Sequence, residues 1–157
     1  MKSLAERAER VVEITRVLHA PRERVFAAWT QARHLMHWFA PRSFTIPSCE
    51  ADPRPGGVFK LCMRSPQGSD YWVRGEYREA SAPERIVIAC TLHDERGEPQ
   101  IDELIDVRLA EEDGVTRLSM VTRCSGRGAG SRVMLENMPK GWSQTITRLS
   151  GRFEPDS

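Results

Sequence analysis

Short runs of alternating apolar and polar residues recur along the chain, and this period of two predicts β-strands. Turn-forming residues, mainly Gly, Pro, Asp and Ser, separate the runs. Seven strands are predicted, over residues 11–19, 44–51, 58–64, 71–79, 85–93, 101–109 and 115–123. The short connections between the last six strands favour consecutive antiparallel hairpins, because parallel neighbours need long crossover segments.

Helical spacing occurs after the first strand and again near the carboxyl end. Pro21 suits the first position of a short helix, and a second short helix is predicted over residues 31–37. Over residues 131–152, apolar residues recur every three or four positions and form one stripe. The stripe consists of Met134, Met138, Trp142, Ile146, Leu149 and Phe153. Pro139 and Gly141 interrupt the stripe, so the segment is either one kinked helix or a principal helix that begins at Pro139. We predict the second arrangement, after a loosely helical lead-in over residues 132–137.

These elements predict an α+β fold: a seven-stranded antiparallel sheet curved around a long C-terminal helix, with two short helices after the first strand. One long helix can cover only part of the face of a seven-stranded sheet. A sheet that curls around a helix can enclose a pocket instead of a fully packed core. Residues 1–157 are expected to form a single domain, with residues 1–10 as a frayed amino-terminal segment.

Charge and hydropathy exclude two classes of partner. The chain has 23 basic and 22 acidic residues, mixed along its length, so no basic block predicts binding to nucleic acid. Membrane association is not expected either, since no apolar run approaches the roughly 20 residues that a spanning helix needs. The first ten residues lack the apolar core of a signal peptide, so a cytoplasmic location is predicted.

Cysteine and histidine spacing gives no sign of a metal or redox site. Cys49, Cys62, Cys90 and Cys124 are single and far apart, without the C-x-x-C spacing of zinc or thioredoxin-like motifs. The histidines have no metal-binding spacing. We therefore predict inert thiols, no metal site and no cofactor.

The order of elements resembles the helix-grip fold of the START-like superfamily (SRPBCC), which includes the birch-pollen allergen. Short motifs narrow the resemblance to homologues of the heat-shock-protein-90 ATPase activator. These motifs are Thr15-Arg16, Ala20-Pro21, Val25-Phe26-Ala27-Ala28-Trp29, Trp38-Phe39-Ala40-Pro41, Asp52-Pro53-Arg54-Pro55-Gly56-Gly57, Gly75-Glu76-Tyr77-Arg78-Glu79, Pro83-Glu84-Arg85 and Gly141-Trp142-Ser143-Gln144. They cover nearly the whole chain, from residue 12 to residue 153.

The resemblance implies small-molecule binding more than chaperone work. Stand-alone members of the family resemble small-molecule binding proteins, and distant relatives include polyketide cyclases and dehydratases. The co-chaperone that gives the family its name carries a second, chaperone-binding domain, for which we expect no room in this chain. Chaperone binding is therefore the least favoured of the functions that the resemblance implies.

Aromatic and thioether side chains are the predicted ligand-binding residues, because they adapt to apolar molecules. They are Trp38, Phe39, Met63, Trp72, Tyr77, Met120, Met138, Trp142 and Ile146. The same residues would serve equally well as an ordinary core. Tyr77 offers a hydroxyl to a ligand, and Tyr71 is an equal candidate by composition.

Two residues are candidates for acid–base catalysis. Glu103 alternates with Ile101 and Ile105, a period that allows it to point inward, where a desolvated carboxyl would suit acid–base work. A bulge or strand end that turns it to solvent is the favoured alternative. His93 ends a strand, where a solvated rim position is the alternative. The first functional hypothesis is therefore binding of a small, largely apolar or aromatic molecule. The alternative is a cyclase- or dehydratase-like enzyme, and a homodimer formed through an edge strand is a further hypothesis.

Overall fold

A single antiparallel sheet and three helices make up the chain in the computed structural model, which describes residues 8–128 and 130–154. The elements are β1 (Glu9–Leu18), α1 (Arg22–Thr30), α2 (Ala32–Leu35), β2 (Thr45–Ala51), β3 (Val58–Arg64), β4 (Asp70–Ser81), β5 (Arg85–His93), β6 (Pro99–Glu112), β7 (Val115–Gly126) and α3 (Ser131–Gly151). The strand order is β1-β7-β6-β5-β4-β3-β2, and every neighbouring pair is antiparallel. This confirms the predicted helix-grip fold and all seven strands.

The alternation in β6 shows why the sheet has one apolar face. Ile101, Glu103 and Ile105 are buried, whereas Leu104 and Arg108 between and beyond them are exposed. Successive side chains of a strand point to opposite faces, so the buried set faces the helices on the concave side. The register shifts once in β2 and once in β4, and such irregularities bend strands.

A compact connection between β2 and β3 fixes one edge of the concave face. Arg54 Nε lies 2.7 Å from Asp52 Oδ2. Gly56 has a φ of 81°, which favours glycine. A Cβ atom on Gly57 would lie 2.0 Å from the Asp52 carbonyl oxygen, so only glycine fits there. The amide of Gly56 donates to the Tyr77 carbonyl at 2.8 Å and anchors the connection to β4.

Helices α1 and α2 cover one end of the concave face, here called the packed end and defined by Trp29, Trp38, Phe59 and Tyr77. All four side chains are fully buried. The rings of Trp29 and Trp38 meet edge to face at 4.7 Å, and those of Phe59 and Tyr77 at 5.6 Å. Trp38 Nε1 donates to the Ala28 carbonyl at 3.0 Å, and the Tyr77 hydroxyl to the Trp29 carbonyl at 2.9 Å.

Helix α3 begins at Ser131 and contains Pro139 in its interior, so the prediction that the principal helix begins at Pro139 is wrong. Proline lacks an N–H, so the carbonyl four residues earlier, on Leu135, loses its helical partner. Leu135 before the proline and Trp142 after it are both buried. Their packing stabilises the helix on both sides of the proline. The rule that proline disfavours a helix interior considers only the local sequence and not this packing.

The sheet ends in two edge strands, β1 and β2. The homodimer through an edge strand therefore stays a prediction. Of the segment predicted to fray, residues 1–7 lie outside the described residues, and Glu9 and Arg10 pair with β7. None of the helices in the described part of the chain has the length and apolar character needed to cross a membrane.

Candidate functional site

A cavity of about 430 Å³ lies between the first half of α3 and the concave face of the sheet. β3, β4, β5, β6, α3 and the segment between α2 and β2 all contribute to its wall. The lining residues are Phe39, Ala40, Pro41, Phe44, Met63, Tyr71, Val73, Leu92, Glu103, Met134, Asn137, Met138, Lys140, Gly141, Trp142, Gln144 and Thr145. Most of these side chains are apolar, so the cavity suits apolar contents.

Arg148 of α3 holds part of the cavity wall in place. This part is the segment over residues 37–44, here called the 37–44 loop. Arg148 Nη1 donates to the carbonyls of Ala40, Pro41 and Phe44 at 3.0 Å each, and Nη2 donates to that of His37 at 3.2 Å. Burial lowers the pKa of Arg148 from its ordinary value. Four carbonyl oxygens therefore solvate this charge and connect the loop to the helix.

Glu103 supplies a buried carboxyl group to the cavity wall. Its side chain is on the concave face, and the residue is only 8% exposed. Trp142 Nε1 donates to Glu103 Oε1 at 2.9 Å, and the Cys124 thiol lies 3.9 Å from the same oxygen. Burial raises the pKa of Glu103, and hydrogen bonds from Trp142, Cys124 and Thr122 offset part of that effect.

The two oxygens of this carboxyl group differ in their partners. Oε1 accepts the indole hydrogen bond, whereas Oε2 of Glu103 makes no hydrogen bond within 3.5 Å to a described residue, and the Thr122 hydroxyl is a further neighbour of the carboxyl group. Among the described residues, the only other charged side chain that lines the cavity is Lys140, which is exposed to solvent. Glu103 is thus a buried carboxyl group in a mostly apolar wall.

Two thiols flank Glu103 across the sheet. Cys90 on β5 and Cys124 on β7 are its paired neighbours, and both are buried. Burial raises the pKa of Cys124 to about 12 and that of Cys90 well above its ordinary value. Burial also raises the pKa of Cys62, and that of Cys49 to about 11. All four cysteines are free thiols, and their raised pKa values make them poor nucleophiles.

Five of the predicted site residues meet at the cavity. Glu103 is one of them, and the structure turns it inward. The other four are Phe39, Met63, Met138 and Trp142. Four further predicted ligand-binding residues, Trp38, Tyr77, Met120 and Ile146, are buried in the core and do not line the cavity. The pattern of apolar positions therefore selects the right face but does not separate the cavity wall from the core.

Trp72 and His93 lie on the opposite, convex side of the sheet. Lys60 Nζ is 5.3 Å and Arg74 Cζ 5.0 Å from the centroid of the Trp72 ring. His93 Nδ1 lies 3.3 Å from the Trp72 carbonyl oxygen. Tyr71 lines the cavity one position before Trp72, so alternation turns Trp72 outward. Neither His93 nor Trp72 contacts the cavity.

Several lining residues were not among those predicted. Val73 on β4 was not named, and Tyr71 was named only as an alternative to Tyr77; both share the inward alternation of the strand. Met134 belongs to the apolar stripe of α3. Phe44 begins a predicted strand but was not named as a site residue, and Pro41 lies in the 37–44 loop, outside any predicted strand or helix. Among the described residues, no group of three His, Cys, Asp or Glu side chains could hold a metal ion.

Solved structures of bacterial proteins share this architecture. A protein from Chromobacterium violaceum is 29% identical with a TM-score of 0.77, over 94% of this chain and 99% of that one. A protein from Nitrosomonas europaea is 25% identical with a TM-score of 0.71, over 90% and 92% of the two chains. A third protein, from Silicibacter pomeroyi and described as AHSA1, shares the fold at 18% identity with a TM-score of 0.70, over 91% and 96% of the chains.

A comparison with curated proteins finds no significant match. A family profile, in contrast, matches residues 19–154, which include every residue that lines the cavity. This match agrees with the resemblance carried by the sequence motifs and with the helix-grip fold. The chain belongs to the family described as Activator of Hsp90 ATPase homolog 1-like protein.

Proposed function

We propose that this protein binds a small, largely apolar or aromatic molecule in the cavity beneath α3. The observation that carries the proposal is the cavity itself, about 430 Å³ in volume and lined mostly by apolar side chains. Binding sites for small molecules are typically about 300–1,000 Å³ and combine apolar walls with a few polar groups. Here Glu103 and the exposed Lys140 are the charged side chains of the wall.

Packing density supports binding over a purely structural role for this space. Protein interiors pack like organic crystals, and voids larger than a water molecule are few. At the packed end of the same sheet, the aromatic rings are fully buried. At the cavity, Met63 and Met138 are only half-buried, although both face the interior of the fold. Flexible thioether side chains of this kind adapt to apolar ligands.

Native mass spectrometry of freshly purified protein gives the most direct test, because a co-purified ligand appears as added mass. A second test measures binding of Nile red, a neutral apolar dye, by fluorescence. Met63→Trp adds bulk inside the cavity, so we expect it to weaken dye binding at least about tenfold. Met36→Trp makes the same change at an exposed position away from the cavity and serves as the matched control.

Two results would contradict the proposal. Wild-type protein that carries no ligand and binds no apolar dye would remove its basis. Equal dye binding by Met63→Trp and the Met36→Trp control would place the dye elsewhere on the surface. Thermal unfolding of both variants shows whether each one is folded, so that lost binding is not confused with lost structure.

An acid–base enzyme of the cyclase or dehydratase kind is a second candidate, and the inward carboxyl of Glu103 favours it. A desolvated carboxyl with a raised pKa suits proton transfer at neutral pH. If a polyketide-like or aromatic substrate is turned over in the cavity, Glu103→Gln should lower the rate about 10²–10⁴-fold. An unchanged rate in a folded variant would remove the acid–base role. His93 does not line the cavity and so serves as a negative control.

A further inference from the structure

The hydrogen bond from Trp142 determines which oxygen of Glu103 is available to a ligand. An indole nitrogen only donates, so Oε1 of Glu103 must accept from it at 2.9 Å. The Cys124 thiol is oriented to donate to the same oxygen, at 3.9 Å. When the carboxyl is neutral, its proton therefore belongs on Oε2. That oxygen makes no hydrogen bond within 3.5 Å to a described residue, and Thr122 is the further polar neighbour of the carboxyl group. The neutral acid can therefore donate its O–H to a group in the cavity.

Among the described residues, no cationic side chain forms an ion pair that would stabilise an ionised Glu103 carboxylate. Trp142 of α3, Cys124 of β7 and Cys90 of β5 face it, and both thiols have raised pKa values that keep them neutral. Lys140 also lines the cavity but is exposed and makes no ion pair with Glu103 in the described part of the chain. The lack of an ion-pair partner and the mostly apolar wall both favour the neutral form of the carboxyl group, which can donate a hydrogen bond.

We propose that the cavity selects apolar or aromatic molecules that carry a neutral carbonyl group, whose oxygen accepts a hydrogen bond from Oε2 of Glu103. This inference rests on the proposed binding function and names the chemical class of the ligand. A carbonyl oxygen matches a single neutral donor and brings no charge into the apolar wall. An amine would require the ionised carboxylate, and a hydrocarbon would leave the buried O–H without a partner.

Three naphthalenes of similar size serve as probes. They are 2-acetylnaphthalene, which carries the carbonyl, 2-ethylnaphthalene, which lacks it, and 1-(2-naphthyl)ethylamine, which carries a cation. The measured quantity is the ratio of the Kd of 2-ethylnaphthalene to that of 2-acetylnaphthalene, obtained by fluorescence titration. Comparing this ratio between variants cancels the different solubility of the two probes in water.

Two substitutions of Glu103 separate its donor function from its charge. Glu103→Leu removes the donor, so we expect the ratio to fall about tenfold, the value of one net hydrogen bond. Glu103→Gln keeps both hydrogen bonds, since the amide oxygen accepts from Trp142 and its N–H₂ donates to the carbonyl. The ratio should stay near the wild-type value. Glu136→Leu, on the exposed surface of α3, is the matched control and should leave the ratio unchanged.

The pH dependence gives a readout that a merely structural carboxyl would not provide. In the wild type the ratio should fall as pH rises through the titration of Glu103, because the carboxylate has no O–H to donate. In Glu103→Gln it should be independent of pH. This comparison uses a near-isosteric variant, so the test does not depend on whether Glu103→Leu folds.

The outcomes distinguish this inference from the proposed function. If neither 2-acetylnaphthalene nor 2-ethylnaphthalene binds, small-molecule binding itself fails for this class of size and shape. If both bind and the ratio is the same in the wild type and Glu103→Leu, the carbonyl selection is overturned while binding stands. Tightest binding of the amine, lost in Glu103→Gln, would also overturn it and would show that the cavity uses the carboxylate instead.

Discussion

The two ends of the concave face have the same strand pattern but differ in what covers them. At the packed end, α1 and α2 bring bulky rings such as Trp29 and Trp38 onto the sheet, and these rings are fully buried and in contact. At the cavity, α3 contributes the flexible side chains of Met134 and Met138, which are only partly buried. The inward face of a sheet is therefore core or cavity wall according to the size of the side chains opposite it.

Phe39 marks the boundary between the two ends. Its ring lies 5.3 Å from that of Trp38 at the packed end and 5.5 Å from that of Trp142 in the cavity wall. Both contacts are edge to face, a favourable geometry for aromatic rings. Arg148 fixes the backbone beside Phe39 through the carbonyl of Ala40. The core thus buttresses the cavity wall directly, and changes at one end can be compared with changes at the other.

The largest expected difference concerns the tryptophans. Trp38→Ala removes a fully buried ring from the packed end and should lower the free energy of unfolding by about 3–5 kcal/mol. Trp142 borders the cavity, so we expect Trp142→Ala to cost less stability, about 2 kcal/mol, and to alter the binding of Nile red. Urea unfolding measures both. Equal losses, with unchanged dye binding in Trp142→Ala, would mean that the two ends do not differ.

Trp72→Ala serves as the control for both tryptophan variants, since Trp72 is on the convex side between two cations. It should leave dye binding unchanged.

Removal of the Arg148 side chain tests whether the cavity wall depends on its connection to α3. Arg148→Ala leaves four carbonyls of the 37–44 loop without their donor. Because hydrogen bonds to charged groups contribute about 1.5–3 kcal/mol, we expect a stability loss in that range. Amide hydrogen exchange in the loop should also accelerate. Arg132→Ala, at an exposed position of α3, provides the comparison, and equal exchange in both variants would argue against the connection.

The buried carboxyl of Glu103 predicts that the stability of the protein depends on pH. Burial raises the pKa of Glu103 above its ordinary value of 4.5, so the folded protein holds the proton more tightly than the unfolded chain. Its contribution to stability is complete below that ordinary value and is lost as pH rises towards the folded pKa. Relative to Glu103→Gln, the wild type should lose at most about 1.4 kcal/mol per pH unit in that window. Urea titrations at several pH values measure it, and parallel curves would contradict it.

A matched pair of tyrosines gives the smallest effect. Tyr77→Phe removes a buried hydrogen bond to the Trp29 carbonyl and should cost about 0.5–1.5 kcal/mol. Tyr71→Phe removes a hydroxyl from the half-buried cavity wall, where no hydrogen bond of Tyr71 occurs among the described residues. We expect almost no change there. A larger loss for Tyr71→Phe would reveal a hydroxyl contact in the cavity wall.

Strand periodicity predicts most of this fold because it reports which face of each strand is buried. All seven strands were predicted with ends within three residues of those observed. The period of two allowed the inward position that Glu103 occupies, although a solvent-facing position was the favoured alternative. The same period turns Trp72 outward, because Tyr71 and Val73 on either side of it line the cavity. Composition alone had favoured Trp72, since an aromatic residue suits a ligand as well as a surface stack.

Features that depend on tertiary contacts were beyond the sequence. The start of α3 was misplaced because the cost of Pro139 is local, whereas the burial that offsets it involves Leu135 and Trp142 packed within the fold. The four carbonyls around Arg148 belong to residues 37–44, more than 100 positions away along the chain. Whether Met138 packs against a ring or lines a cavity likewise depends on the residues on the opposite wall. The periodicity of the α3 sequence does not identify those residues.

The raised pKa values of the native thiols have a practical consequence for chemical labelling. Cys49 has a pKa of about 11, so only about one thiol in ten thousand is ionised at pH 7. A cysteine introduced by Lys140→Cys at the exposed rim of the cavity should keep an ordinary pKa near 8.5. Its thiolate fraction at pH 7 should then exceed that of Cys49 by a factor of more than ~100. Maleimide dyes would then attach at one chosen position without removal of the native cysteines. A single added cysteine would therefore suffice to attach a fluorescent reporter of ligand entry.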